Sequence, residues 1–164
     1  MRRIVSTAAL ILMAIAGSAI AQTPVGPDEW RVGIDTANKR VSLYASTTED
    51  AEMRIVCTPK LSAWMMRVPK VAALDNSAQI VLTTDKGVEV VSRTVVQHQQ
   101  NFTIITALKG DVHEEAMKAI AGARRNMVVE LNQAGKVVAQ HTFKARYSTP
   151  AAEAFQTACA KQRD

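Results

Sequence analysis

Glu52-Met53-Arg54-Ile55-Val56-Cys57, then Pro59, then Trp64-Met65-Met66-Arg67-Val68 closed by Pro69, is the stretch that decides the fold. In the first half Met53, Ile55 and Cys57 fall on one side of an alternating strand. In the second, Trp64 and Met66 share one side and Met65 takes the other. Period-two alternation punctuated by proline reads as short strands at hairpin spacing.

The same pattern extends in both directions. Upstream, Trp30 to Asp35 and Arg40 to Ala45 alternate around a turn at Thr36-Ala37-Asn38. Downstream come Gln79 to Thr84, Val88 to Gln97 and Phe102 to Leu108, and up to this point the strands are expected to follow one another as a meander. The period then changes. Val112, Ala116, Ile120 and Ala123 form one helical stripe, with Gly122 near its end. Asn126 to Leu131 and Lys136 to Phe143 form a hairpin around Asn132-Gln133-Ala134-Gly135, placing His141 on a face with Val137, Ala139 and Phe143. A last helix is expected with Thr149 as N-cap, Pro150 in the first turn, and Ala151, Phe155, Ala158 and Cys159 as its apolar side. The expected class is mainly β: an antiparallel β-sandwich or partly open barrel with one short crossover helix and a C-terminal helix. A βαβ nucleotide fold would need longer helices between strands and a glycine-rich first turn.

Composition sets the remaining bounds. The chain has 164 residues, 48% hydrophobic, 21% charged and 4% aromatic, which suits one globular domain and excludes a disordered chain or a multi-span membrane protein. Residues 1–21 have the plan of a secretory signal peptide: Arg2-Arg3, an uncharged apolar run from Ile4 to Ile20, and Ala19-Ile20-Ala21 before Gln22. The competing reading, a membrane anchor, is disfavoured because the run is shorter than the roughly 20 residues of a span and lacks a basic flank on its far side. Residues 22–29, with two prolines and a glycine, read as a flexible leader, and residues 30–164 as one β-rich domain. The expected location is periplasmic or secreted, with no stable membrane anchor after cleavage.

Removing Arg2 and Arg3 from the 20 basic residues leaves 18 against 15 acids, a net charge of +3. Nucleic-acid binding calls for clustered cations with interleaved aromatics. Here the densest pair is Arg124-Arg125 and the aromatics are scattered, so nucleic acid is not an expected partner. Both cysteines lie in the exported part. In an oxidising compartment Cys57 and Cys159 read as a disulfide closing about 100 residues, for which chain entropy gives roughly 4.7 kcal/mol. A nucleophilic thiol is the weaker alternative, since no C-x-x-C occurs.

Catalytic and metal motifs are missing. His113-Glu114 resembles the opening of a zinc-protease helix, but the position four after His113 is Met117. His98 sits in the polar patch Gln97 to Asn101, and His141 reads as half-buried and hydrogen-bonded. The adjacent acids Glu49-Asp50 and Glu114-Glu115 point in different directions on any regular element. No G-x-S-x-G, phosphate loop, calcium loop or S-x-x-K is present. The expectation is no enzyme, no catalytic residue, no cofactor and no metal. Two features could form a binding surface: Trp64 with Met66, whose alternative role is core packing, and Arg124 with Arg125. A wider basic face could also draw on Lys60, Arg67, Lys70, Lys136, Lys144 and Arg146, though a scattered arrangement is the simpler expectation.

The end of the chain, Phe143 through Tyr147-Ser148-Thr149-Pro150 to Phe155 and Cys159, resembles the ending of small periplasmic proteins of the invasion-associated locus B and type VI secretion accessory (VasI-like) kind: a strand phenylalanine, a turn, an alanine-rich helix and a final cysteine. Trp30-Arg31-Val32 and the Cys57 strand are similar to the start of such domains. Tyr147 stands where their turn carries glycine, and the helix is alanine-rich where theirs is leucine-rich. The resemblance implies a non-catalytic envelope protein, with no catalytic residue to carry over. The functional expectation is therefore an exported, non-enzymatic accessory or interaction protein that presents a binding surface to an envelope or secretion partner. The alternative is a small-ligand carrier or enzyme inhibitor. A deep apolar pocket of about 300 Å³ or more would favour the carrier, and an exposed patch the interaction protein.

Overall fold

Val41, Leu43 and Ala45 fall at alternate positions of one strand and are at most 1% exposed, and the inward residues of most strands that follow it repeat this spacing, so that one face of the sheet is buried and mainly apolar. The computed structural model describes residues 28–108 and 112–163; the expected signal peptide and all but the last two residues of the expected leader lie outside them. The strands are β1 (Arg31–Asp35), β2 (Arg40–Ser46), β3 (Glu52–Cys57), β4 (Ser62–Pro69), β5 (Gln79–Thr84), β6 (Glu89–His98), β7 (Phe102–Ala107), β8 (Asn126–Gln133) and β9 (Lys136–Lys144). Helix α1 (Val112–Gly122) precedes β8, and α2 (Ser148–Arg163) follows β9. The protein is mainly β, antiparallel throughout, with the short mid-chain helix and the C-terminal helix expected.

The nine strands form one open sheet, ordered β1-β2-β3-β4-β7-β6-β5-β8-β9. Among the described residues no second sheet faces it; α1 and α2 cover the inward face instead, α2 against β1 and β2, α1 against β4, β5 and β6, and the helices against each other. The sheet curls without closing. Because every neighbour is antiparallel, β1 and β9 run in the same direction, and the start of one meets the end of the other. The Trp30 main-chain N–H donates to Arg146 O and its indole Nε1 to Lys144 O at 2.8 Å, with the Trp30 and Phe143 rings 6.4 Å apart.

The expected meander holds from β1 to β4 and then breaks. β7, not β5, pairs with β4. The connection of residues 70–78 is long enough to pass two strands, since nine residues reach ~30 Å and the three strand spacings from β4 to β5 need ~14 Å. It is held across the end of the sheet by polar bonds from β6, β7 and β8. Val96 N–H donates to Asn76 Oδ1, Gln133 Nε2 donates to Ala73 O, and the Asp75 N–H donates to Gln133 Oε1. Leu74, only 2% exposed, is the apolar side chain this crossing drives into the core.

The β8–β9 hairpin turns on Ala134 and Gly135, with φ of 50° and 74°, which is the two-residue turn that suits the twist of a hairpin. A bulge between Leu131 and Asn132 shifts the register by one. It removes Val137 from the face expected for it: Val137 is 52% exposed, while His141 and Phe143 face inward. The α1 stripe is as expected, with Val112, Ala116, Ile120 and Ala123 all buried. Thr149 does not cap α2. The helix begins one residue earlier, at Ser148, and the Thr149 hydroxyl donates to Ala121 O at 2.7 Å, tying the start of α2 to the last turn of α1. The disulfide between Cys57 and Cys159, with Cα atoms 5.8 Å apart, fixes the far end of α2 to β3.

Candidate functional site

The two expected binding features part company. Trp64 and Met66 are both 0% exposed and belong to the core, where Trp64 stands opposite Ile55 and Met66 opposite Ile105. In a curled sheet whose inward face is covered by helices, large side chains on that face are the filling, so neither offers a surface. Arg124 and Arg125 are exposed. They follow α1, where the Asp85 carboxylate receives both of their main-chain amides, Oδ1 from Arg124 at 2.9 Å and Oδ2 from Arg125 at 3.0 Å. One carboxylate thus pins the backbone and leaves both guanidinium groups outside.

Sheet pairing gathers other cations there. Asn126 stands opposite Lys144, the Ala145 N–H donates to Arg125 O, and the Asp85 N–H donates to Asn126 O. Three chain-distant segments, 85–86, 124–126 and 144–146, therefore lie on adjoining strand ends and carry exposed Lys86, Arg124, Arg125, Lys144 and Arg146. The acids within reach are Asp85, whose oxygens serve the amides, and Glu29, which pairs with Arg31 at 3.0 Å and Arg146 at 3.9 Å. Arg146 also lies over the Tyr147 ring, 5.0 Å from its centre, and donates to the Tyr147 hydroxyl. That hydrogen bond, with the charges of Tyr147 and Glu29, raises the Arg146 pKa above its ordinary value. Tyr147 is 53% exposed with φ 61°, a left-handed conformation at the turn position where glycine is the easier choice. Lys60 lies between β3 and β4, and Lys136 is the first residue of β9.

The histidines take structural positions. Leu74 presents only a carbonyl to His98 Nε2, at 2.8 Å, so Nε2 donates, and Nδ1 accepts from the Thr103 hydroxyl at 3.2 Å. Thr103 Oγ1 in turn receives the Val71 N–H, so His98 is a strut for the crossing connection. His141 departs from the expected half-buried, hydrogen-bonded role: it is buried, and neither ring nitrogen has a hydrogen-bond partner among the described residues. Its nearest carboxylate oxygen, Glu49 Oε2 on the β2–β3 turn, is 3.8 Å from Nδ1. Burial lowers its pKa below the usual 6.5, and Glu49 offsets part of that. His113 lines a groove of about 170 Å³ between the helices with Met117, Phe155 and Cys159.

The concave side is occupied by side chains, among them Trp64, Phe143, Met53, Ile120 and Met127, all no more than 1% exposed. The larger clefts, of about 300, 370 and 510 Å³, are lined by residues of the outer sheet face and the β8–β9 hairpin. No known family, curated protein or solved structure matches the chain.

Proposed function

We propose that the chain is an exported, non-enzymatic accessory protein whose cationic end holds an acidic surface of an envelope or secretion partner. One observation carries this reading: Lys86, Arg124, Arg125, Lys144 and Arg146 come from three separate segments to one end of the sheet, where the Asp85 carboxylate is taken up by backbone amides and Glu29 is shared between Arg31 and Arg146. Arginine forks suit carboxylates, and cations on a hydrogen-bonded backbone spare a complex the backbone-ordering entropy that a loose loop would lose. The disulfide supports an oxidising compartment, and the C-terminal resemblance to VasI-like and invasion-associated locus B proteins points to the same setting.

The test is in-cell crosslinking followed by quantitative capture. Arg124→Glu with Arg125→Glu should lower recovery of the crosslinked partner at least tenfold, while Lys60→Glu with Lys136→Glu, an equal change of charge elsewhere, should leave it intact. Equal recovery from both variants, or equal loss, would remove the cationic end from the mechanism.

A further inference from the structure

The outer face of the sheet carries a second set of cations, and these have a different setting. Alternation that turns Trp64, Met66 and Val68 inward turns Met65 and Arg67 outward; the same holds for Ile104 and Thr106 on β7 and for Arg93 and Val95 on β6. Across the strands, Arg67 stands opposite Ile104 and Ile104 opposite Gln97, while Met65 stands opposite Thr106 and Thr106 opposite Val95. Beyond them the Leu108 N–H donates to Arg93 O. Arg67 and Arg93 therefore occupy diagonal corners of a patch whose middle is Met65, Thr106, Val95 and Ile104. Two strand spacings across and four residues along place their Cα atoms ~16 Å apart.

Each corner opens into its own cleft. Arg67 lines one of about 300 Å³ with Arg54, Met65 and Phe102, and Arg93 lines one of about 510 Å³ with Val91 and Leu108, the latter 57% exposed. The Arg67 guanidinium carbon lies over the Phe102 ring, 5.7 Å from its centre. Glu52 stands opposite Arg67 across β3 and β4 and lines the same cleft, but its carboxylate is taken by Arg54 at 2.7 Å, whose guanidinium also lies over Tyr44. Neither Arg67 nor Arg93 has a carboxylate partner among the described residues. Both helices pack on the opposite face, so no element of the described chain covers the patch.

We infer that this patch receives an extended acidic segment of a partner protein, with a carboxylate at each of Arg67 and Arg93 and an apolar side chain between them over Met65, Thr106 and Val95. Charge selects this occupant. A second copy laid on the same face would bring unmatched guanidinium groups toward one another, and a single fatty carboxylate would satisfy one corner only. In an extended strand, residues i and i+4 face the same way ~13 Å apart, and side-chain reach covers the remainder. The recognised pattern is thus acid, apolar, acid at alternate positions. This site is separate from the cationic end.

The experiment is fluorescence anisotropy with the purified exported protein and a labelled peptide Thr-Glu-Thr-Leu-Thr-Glu-Thr. The glutamine version should bind at least tenfold more weakly. Arg67→Ala and Arg93→Ala should each weaken binding at least fivefold, the double variant should abolish it, and Arg67→Lys with Arg93→Lys should keep part of it, with circular dichroism melts confirming that all are folded. Arg124→Glu with Arg125→Glu should leave peptide binding unchanged even where partner capture is lost. No binding by the wild-type protein at millimolar peptide, or undiminished binding by the double alanine variant, would overturn the proposal. So would full displacement by decanoate alone, which would identify a small anionic amphiphile, or a dimer in sedimentation that the same variants dissolve.

Discussion

Adjacent residues on β4 belong to two different molecules in all but the backbone: Trp64 and Met66 face the helices and have no exposed surface, while Met65 and Arg67 face outward into a cleft. The inward face is built for volume. Its side chains are mainly apolar, its cover is α1 and α2, and its anchor is the Cys57–Cys159 bond. The outward face is built from partners, with Arg54 between Tyr44 and Glu52 and Arg67 on Phe102. One strand therefore serves stability on even positions and recognition on odd ones, and substitutions one residue apart should have different consequences.

The inward face should give the largest effects. Cys159→Ser removes a cross-link spanning 102 residues, and loop entropy for that length gives a loss of about 4.7 kcal/mol in urea unfolding, with strand content retained. Two free thiols on alkylation of denatured, unreduced protein would contradict the assignment. Trp64→Ala should cost about 3–5 kcal/mol, as expected for emptying a fully buried aromatic site. Met65→Ala should cost less than about 1 kcal/mol because its side chain is only half-buried. Equal losses from the two would erase the contrast between the faces.

Much of this architecture is legible in the residues, and the unreadable parts share a cause. Alternation in Glu52 to Cys57 and the stripe Val112, Ala116, Ile120 are local, and both were readable as strand and helix. Which side of β4 is core is not local: Trp64, Met65 and Met66 are all large and apolar, and only the packing of α1 against β4 decides between them. The crossing of residues 70–78 rests on His98, Thr103, Asn76 and Gln133, polar residues whose partners lie on other strands and whose types announce only a loop. The cationic end could have been approached by counting back from the Ala134-Gly135 turn, which brings residue 126 to the level of 143 or 144. The bulge at Leu131/Asn132 decides between them in favour of Lys144. The pairing of Arg67 with Arg93 across one patch needed the strand order, which no stretch of sequence contains.

Outward substitutions should move binding and spare the fold. Arg124→Glu with Arg125→Glu should weaken partner capture by at least tenfold, or about 1.4 kcal/mol, with unfolding stability changed by no more than about 0.5 kcal/mol. The reason is that Asp85 holds the main chain of both residues, not their side chains. Asp85→Ala is the informative counterpart. It strips the acceptor from two amides, so it should lower stability by about 1–2 kcal/mol and loosen the arginine pair as well. A stability loss from the arginine variant as large as that from Asp85→Ala would show that the side chains support the fold.

The smallest effect belongs to His141, an inward residue with a polar ring. His141 is buried with both ring nitrogens unbonded, and desolvation holds its pKa below the usual 6.5 despite Glu49 at 3.8 Å. Above about pH 6.5 the ring is neutral in both folded and unfolded chains, and its full contribution is present. As pH falls below that value the unfolded chain takes up its proton first, so stability declines until the folded pKa is passed and then levels off. Asp35 and Asp75, held below 3.8 by hydrogen bonds from Asn38 and Ser77, lose their contributions in a separate, more acidic range. His141→Phe should therefore flatten the stability profile below pH 6.5 while leaving the acid limb in place. At pH 7.5 it should change stability by no more than about 1 kcal/mol, because a ring of similar shape replaces one whose polar atoms have no hydrogen bonds. A slope below pH 6.5 that survives the substitution would assign it to another group and leave His141 as plain packing.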